Sequence, residues 1–84
     1  MELYILKSEK LDRYYVGISN DAQKRVFEHN SGKTQSTKNY GPWKIIYTEK
    51  HPDYKSARER EKYLKSYKGV TEKRKIIKEY SEIV

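Results

Sequence analysis

Cysteine is absent from the chain, which excludes a disulfide framework and thiolate metal ligation and suits a reducing compartment. No apolar run approaches the ~20 residues of a membrane span. Met1-Glu2 leads straight into a strand-like run with no charged and apolar leader, so the expectation is a cytoplasmic protein without a membrane partner. Internal repeats, low-complexity segments and linkers are absent too. The 84 residues are expected to form one domain, residues 1–84. At this size only ~60–65% of the unfolded surface can be buried, which leaves no room for a separate specificity domain. Glycine and proline are scarce, four and two, and most of them fall where they divide the chain, at Ser31-Gly32, Gly41-Pro42 and Lys68-Gly69.

What the chain has in quantity is positive charge and tyrosine. Nineteen basic residues stand against twelve acidic ones, a net charge of +7, with nine tyrosines besides Trp43 and Phe27. Residues 1–30 balance to zero, while residues 31–50 carry +3 and residues 51–84 carry +4. A basic surface interleaved with aromatics suits a polyphosphate partner, because Lys and Arg displace condensed counterions from a nucleic-acid backbone. The plain alternative is a well-solvated surface.

The pattern reads as β-β-α-β-α-α, an α+β fold with a small three-stranded antiparallel sheet flanked by helices. Residues 2–7 and 13–18 form strands joined by the polar SEKLD loop. Asn20 can cap a helix that runs to about Asn30, with Gln23 three residues on. WKIIYTE, residues 43–49, follows the Gly41-Pro42 breaker as a third strand. A helix from about Tyr54 to Tyr67 comes next, and Thr71 caps a last short helix carrying Ile76, Ile77 and Tyr80.

Candidate site residues emerge from these elements. A hairpin register that sets Tyr4 opposite Tyr15 puts both on one face with Leu6, Arg13 and Gly17, and leaves Leu3, Ile5, Tyr14, Val16 and Ile18 as a core face. The first face mixes phenols, a guanidinium and a glycine, as a site does, although aromatics favour strands in any case. Arg25 and His29, spaced i,i+4, share a helix face beside the Ala22/Val26 stripe. Arg25 could equally pair with Asp21, and His29 could be a polar residue of a last helical turn. On the second long helix Glu61 interrupts the stripe Tyr54, Ala57, Leu64, where a charge must be paired. A metal ion or Arg25 could pair it, or a surface bridge to Lys65 or Arg58. Glu59 projects to the other side.

The spaced triplets LYI (3–5) and YVG (15–17), then SNDAQKRVFEHNSGK (19–33), GPWKIIY (41–47) and SAREREKYLK (56–65), resemble the GIY-YIG nuclease domain over nearly the whole chain. The likeness is to small stand-alone bacterial members, which resemble the N-terminal incision domain of the excision-repair nuclease UvrC and the catalytic subunit of flap nucleases. The resemblance implies a metal-dependent endonuclease that hydrolyses phosphodiester bonds in DNA. Tyr4 and Tyr15 match the tyrosines that name the family, Gly17 the glycine of the second triplet, Arg25 and His29 the helix residues of the site, and Glu61 the single metal ligand. The first triplet reads LYI instead of GIY. The asparagine that several members carry after the glutamate has no counterpart, since none occurs after Asn39.

Phosphodiester hydrolysis requires an aligned water, an acceptor for its proton and neutralisation of the charge growing on the phosphoryl oxygens. One Mg²⁺ or Mn²⁺ held by Glu61 suffices, because Mg²⁺ keeps most of its waters; no nearby second carboxylate suggests two metals. Arg25 offers the phosphate a fixed fork. A phenol is a poor base at neutral pH, so Tyr4, Tyr15 and His29 all stay open as the proton acceptor. Lys33, Lys38, Lys44 and the cluster Lys73-Arg74-Lys75 are candidate backbone contacts, which read charge and shape more than base sequence. The expected partner is therefore DNA of a particular structure in repair or recombination, with a non-cleaving DNA- or RNA-binding module as the alternative.

Overall fold

The structure, a computed structural model, describes residues 1–34 and 37–83, with side chains as far as Tyr80. Its elements are β1 (Glu2–Ser8), β2 (Tyr14–Ser19), α1 (Ala22–Asn30), β3 (Trp43–Lys50), α2 (Tyr54–Lys65) and α3 (Val70–Ile83), the expected α+β order. The strands pair antiparallel in the order β2-β1-β3. Leu3 to Leu6 are buried without interruption, because the central strand β1 is covered on both faces. On one face Leu3, Ile5, Val16 and Leu64 form a core with Ile18, Ile46 and Ile76, which docks α2 and α3. On the other, Tyr4, Leu6, Ala22 and Trp43 gather Tyr15, Val26, Tyr40 and Ile45 beneath α1.

The hairpin register corrects the expected one. Tyr4 pairs with Gly17 and Leu6 with Tyr15, so Tyr4 and Tyr15 are diagonal neighbours instead of opposite partners. A slip of two residues keeps every side chain on its face, and the mixed and apolar faces stand as read. The turn fixes the difference: Ser8 N–H donates to the Arg13 carbonyl at 3.0 Å, and Ser8 Oγ accepts from the amides of Lys10 and Leu11 at 3.2 and 3.0 Å. The loop thus closes around Ser8. In β3, Ile5 pairs with Tyr47 and Leu6 with Ile45, a bulge that turns both Ile46 and Tyr47 toward the same core.

The helix ends also differ in detail. Asp21, not Asn20, caps α1, its carboxylate accepting from Lys24 N–H at 3.1 Å. α2 stops at Lys65, short of Tyr67, because Ser66 N–H and Oγ both donate to the Tyr63 carbonyl, at 3.0 and 2.6 Å, and its backbone turns extended. α3 begins at Val70, ahead of Thr71, and runs 14 residues, longer than the short helix expected there. Ile76 on its inner side packs on the core, and this burial supports the added length. Among the described residues no helix is long and apolar enough to cross a membrane.

Candidate active site

Tyr4 is a phenol in the middle of the sheet, 1% exposed. Its ring lies across the β2 backbone, where Gly17 makes room: a Cβ there would sit 2.6 Å from the Tyr4 hydroxyl, 2.7 Å from Cζ and 2.9 Å from Tyr15 Cε1. Gly17, the glycine of the YVG triplet, is buried beneath the two rings, and its lack of a side chain is what lets them meet. The Tyr4 and Tyr15 centroids are 6.3 Å apart, and His29 lies 4.7 Å from Tyr15.

α1 brings Arg25 and His29 onto this face by their i,i+4 spacing. His29, also buried, places Nε2 3.2 Å from the Tyr4 hydroxyl and Nδ1 2.7 Å from Thr37 Oγ1. Thr37 Oγ1 in turn lies 3.4 Å from the Thr34 carbonyl. Satisfying every group assigns one pattern: Thr37 donates to Thr34 O, His29 Nδ1–H donates to Thr37, and Tyr4 O–H donates to Nε2. Burial, reinforced by the Arg25 charge, lowers the His29 pKa, so the imidazole is neutral near pH 7 and Nε2 is free to accept. Burial raises the Tyr4 pKa, with Arg25 opposing, and the phenol keeps its proton. Arg25 interacts with the Tyr4 hydroxyl and donates to Glu28 Oε1 at 3.0 Å, not to Asp21.

Thr37 is the residue that sequence reasoning missed. It sits between Gly32 and Gly41, in a segment with no periodicity to read. Its place is set by Trp43, whose Nε1–H donates to the Thr37 carbonyl at 3.0 Å. Asn30 holds Trp43 in turn, its side-chain amide donating to the Trp43 carbonyl at 2.9 Å and its oxygen accepting from Trp43 N–H at 2.5 Å.

Glu61 is buried at the inner side of α2, as its place in the stripe requires. Its partners are neither Arg25 nor an acidic neighbour: Oε1 accepts from Arg58 at 2.6 Å and Oε2 from Lys65 at 3.0 Å, with Lys65 Nζ also 5.8 Å from the Tyr15 ring centroid. Burial pushes the carboxyl up, yet Lys65 and Arg58 together outweigh it, and Glu61 is held ionised below its ordinary value. Its charge reaches Tyr4. Glu59 is exposed. Among the described residues no group of three or more His, Cys, Asp or Glu is placed to hold a metal ion. Glu61 is the carboxylate of this group that could meet a divalent ion.

The sheet thus brings Tyr4, Tyr15, Arg25 and His29 together, with Glu61 within electrostatic reach. It does not bring all the lysines with them. Lys33 and Lys38 are exposed in the segment that follows α1. Lys44 points to the opposite face of the sheet, its Nζ 5.4 Å from the Tyr80 ring. The alternation along β3 sends Trp43 and Ile45 to the site side and Lys44 away from it.

Residues 1–79 match the family model of the GIY-YIG catalytic domain. The chain belongs to the GIY-YIG family. Domains of this family are generally nucleases that act on DNA. Among similar proteins, the UPF0213 protein CPE1444 of Clostridium perfringens is 38% identical over 64 residues, covering 75% of this chain and 68% of that protein. The solution NMR structure of the UPF0213 protein BH0048 of Bacillus halodurans superposes with a TM-score of 0.52 at 26% identity, covering 92% of this chain and 81% of that one. Neither name states an activity. The family match places the five residues Tyr4, Tyr15, Arg25, His29 and Glu61 inside the matched region of this GIY-YIG domain.

Proposed function

We propose that the chain is a metal-dependent endonuclease that hydrolyses phosphodiester bonds in DNA, selecting its substrate by structure in a repair or recombination setting. The observation that carries this reading is the hydroxyl of a buried tyrosine 3.2 Å from a neutral imidazole Nε2, within the electrostatic reach of the Arg25 guanidinium. A purely structural phenol needs one partner; this one has a proton acceptor at its oxygen and a phosphate-binding group within electrostatic reach.

The residues divide the work as follows. Arg25 binds and orients the scissile phosphate and neutralises the charge that grows on its oxygens. The Tyr4 oxygen accepts a proton from the attacking water while its own proton passes to His29 Nε2, so the phenolate is never free. The new P–O bond forms as the bond to the leaving oxygen breaks; the leaving oxygen departs as an alcohol after taking a proton from solvent, and His29 carries the proton relayed from the attacking water as imidazolium until it returns it to solvent. Thr37 keeps Nδ1 protonated beforehand, which leaves Nε2 as the acceptor. Tyr15 packs against the imidazole, with ring centroids 4.7 Å apart, and holds it in place. Glu61 would hold a single Mg²⁺ or Mn²⁺, which when bound supplies further positive charge at the phosphate. Arg58 and Lys65 are about half-exposed and can swing from the carboxylate toward solvent or phosphate, so the donor set fits one largely hydrated ion.

A cleavage screen on linear, flapped and branched DNA with Mg²⁺ or Mn²⁺ tests the proposal. We expect cutting of flapped or branched DNA ahead of linear duplex. Binding without cutting across all substrates and both metals would replace it with a non-cleaving nucleic-acid-binding module, for which the lack of an asparagine after Asn39 is the specific support.

A further inference from the structure

Most of the cations near the site are paired: Arg25 with Glu28, Arg58 and Lys65 with Glu61, Arg60 with Glu49 and Glu72. The elbow between α2 and α3 is different. Two open clefts meet there, of about 470 and about 490 Å³, sharing Val70 and Arg74. Lys65, Tyr67 and Arg74 line the first, and Lys73, Arg74 and Lys78 line the second, with Asp12 the single carboxylate. Lys73, Arg74 and Lys78 make no ion pair among the described residues. Lys65 lines one cleft and Lys73 the other, so like charges face the same elbow, where an anion between them would balance both.

Tyr67 adds an aromatic to this groove. At 94% exposure it is almost wholly open to solvent, and it stands between two lysines, Lys65 and Lys68, in the short connection from α2 to α3. A duplex keeps the faces of its bases inside the stack and offers such a ring only phosphates and groove edges. A single strand offers the base faces themselves. Lys65 joins the two regions, since it lines the cleft and also lies 5.8 Å from the Tyr15 centroid.

We propose that the α2–α3 elbow binds an unpaired stretch of a nucleic-acid strand, Tyr67 stacking on a base while Lys65, Lys73, Arg74 and Lys78 hold the phosphates. The proposal rests on the nucleic-acid reading above, though not on cutting. A strand held this way runs from the elbow past Lys65 toward Tyr15 and Tyr4, so the scissile bond lies within a few nucleotides of the stacked base. A flap or branch provides such a segment beside a duplex.

The test is fluorescence anisotropy in EDTA with labelled oligothymidylate of about 12 nucleotides, within the footprint of single-strand binders, and a duplex of equal length. We expect Tyr67→Ala to weaken oligothymidylate binding by about 5- to 150-fold, the range of one base–aromatic stack, with a smaller effect on the duplex. Tyr67→Phe keeps the ring and should bind as the wild type does. Lys73→Ala with Arg74→Ala should lessen the slope of log K against log salt by about 1.4 on the single strand, two contacts' worth. Tyr67 touches no core residue, so far-ultraviolet circular dichroism should be unchanged. The inference is overturned if Tyr67→Ala binds oligothymidylate like the wild type, or loses single strand and duplex equally. A protein that never cuts yet shows the Tyr67 dependence upholds this inference and removes the nuclease reading. A protein that cuts while Tyr67→Ala binds oligothymidylate normally removes this inference alone.

Discussion

Gly17→Ala should damage stability and catalysis together. The added methyl would lie 2.6 Å from the Tyr4 hydroxyl, 2.7 Å from its Cζ and 2.9 Å from Tyr15 Cε1, all closer than carbon contacts permit. Something must shift by most of an ångström. Tyr4 is held at both ends, by its strand and by His29 at 3.2 Å, so moving the ring also lengthens that hydrogen bond. Overpacking a filled core of this kind costs roughly 1–3 kcal/mol. For a domain of this size that is about 4–24 °C in Tm, since each kcal/mol moves the midpoint by roughly 4–8 °C. Differential scanning calorimetry would read the stability, and single-turnover cleavage at saturating DNA would read the chemistry, which we expect to fall at least ~10²-fold, as for loss of a positioned acid–base group. Gly32→Ala is the control. Gly32 has φ 81°, so alanine there costs about 1–2 kcal/mol of backbone strain without touching Tyr4, and the cleavage rate should hold. A Gly17→Ala protein with wild-type Tm and wild-type rate would refute the packing argument and the site built on it.

Other expectations follow from the same geometry. Glu61→Gln should abolish divalent-dependent cleavage while leaving the fold and DNA affinity intact, with Glu59→Gln cutting normally; a stably folded Glu61→Gln enzyme at the wild-type rate defeats the metal-ligand role. Arg25→Ala should slow cleavage by ~10²–10³-fold with a small loss of binding; equal losses in filter binding and turnover would make Arg25 a simple clamp. Tyr4→Phe should cut far more slowly than Tyr15→Phe in single-turnover assays, because only Tyr4 donates to His29. Glu49 sets a pH dependence of stability: burial pushes its carboxyl up, but hydrogen bonds from Arg60, Tyr47 and His51 outweigh this and bring it to about 2. A depressed carboxyl stabilises the fold above its unfolded value of ~4.3 and loses that contribution as pH falls through the folded one. Glu49→Gln should therefore destabilise at pH 7 by up to about 3 kcal/mol in urea melts, with a difference that shrinks below pH ~4.3 and is largely gone near 2.

Strand faces and helix stripes were legible in the chain because they depend on periodicity, and periodicity tolerates small errors. The register of the first hairpin was read two residues off, yet Tyr4, Tyr15 and Gly17 stay on one side, since a shift by an even number never changes the face. Glu61 was legible as a carboxylate in an apolar stripe, and its partners Arg58 and Lys65 lie on the same helix at i−3 and i+4. What could not be read lies where no period exists. The Thr37 hydroxyl reaches His29 only through a loop whose course depends on Trp43, thirteen positions beyond the Asn30 that holds it. The close of the hairpin around Ser8 comes from local hydrogen bonds that leave no compositional trace, and the bulge at Ile46 breaks the alternation that a strand reading assumes. Lys44 was misplaced in expectation for the opposite reason: nearness in sequence to the site says nothing about which face of β3 a residue takes.

The placing of β1 between β2 and β3 also sets an order of events during synthesis. The β1–β2 hairpin is local and can close in ~1–10 µs, and α1 follows it directly, so most of the tyrosine pocket can gather while later residues are still being made. β1 nevertheless keeps one hydrogen-bonding edge open until Trp43–Lys50 arrive, and Leu3 to Leu6 along it are the most apolar stretch of the sheet. For that interval the nascent chain presents a bare, hydrophobic strand edge, the kind that pairs with neighbours of its own sort. Slow translation across residues 31–42 would prolong the exposure, and faster passage into β3 would shorten it.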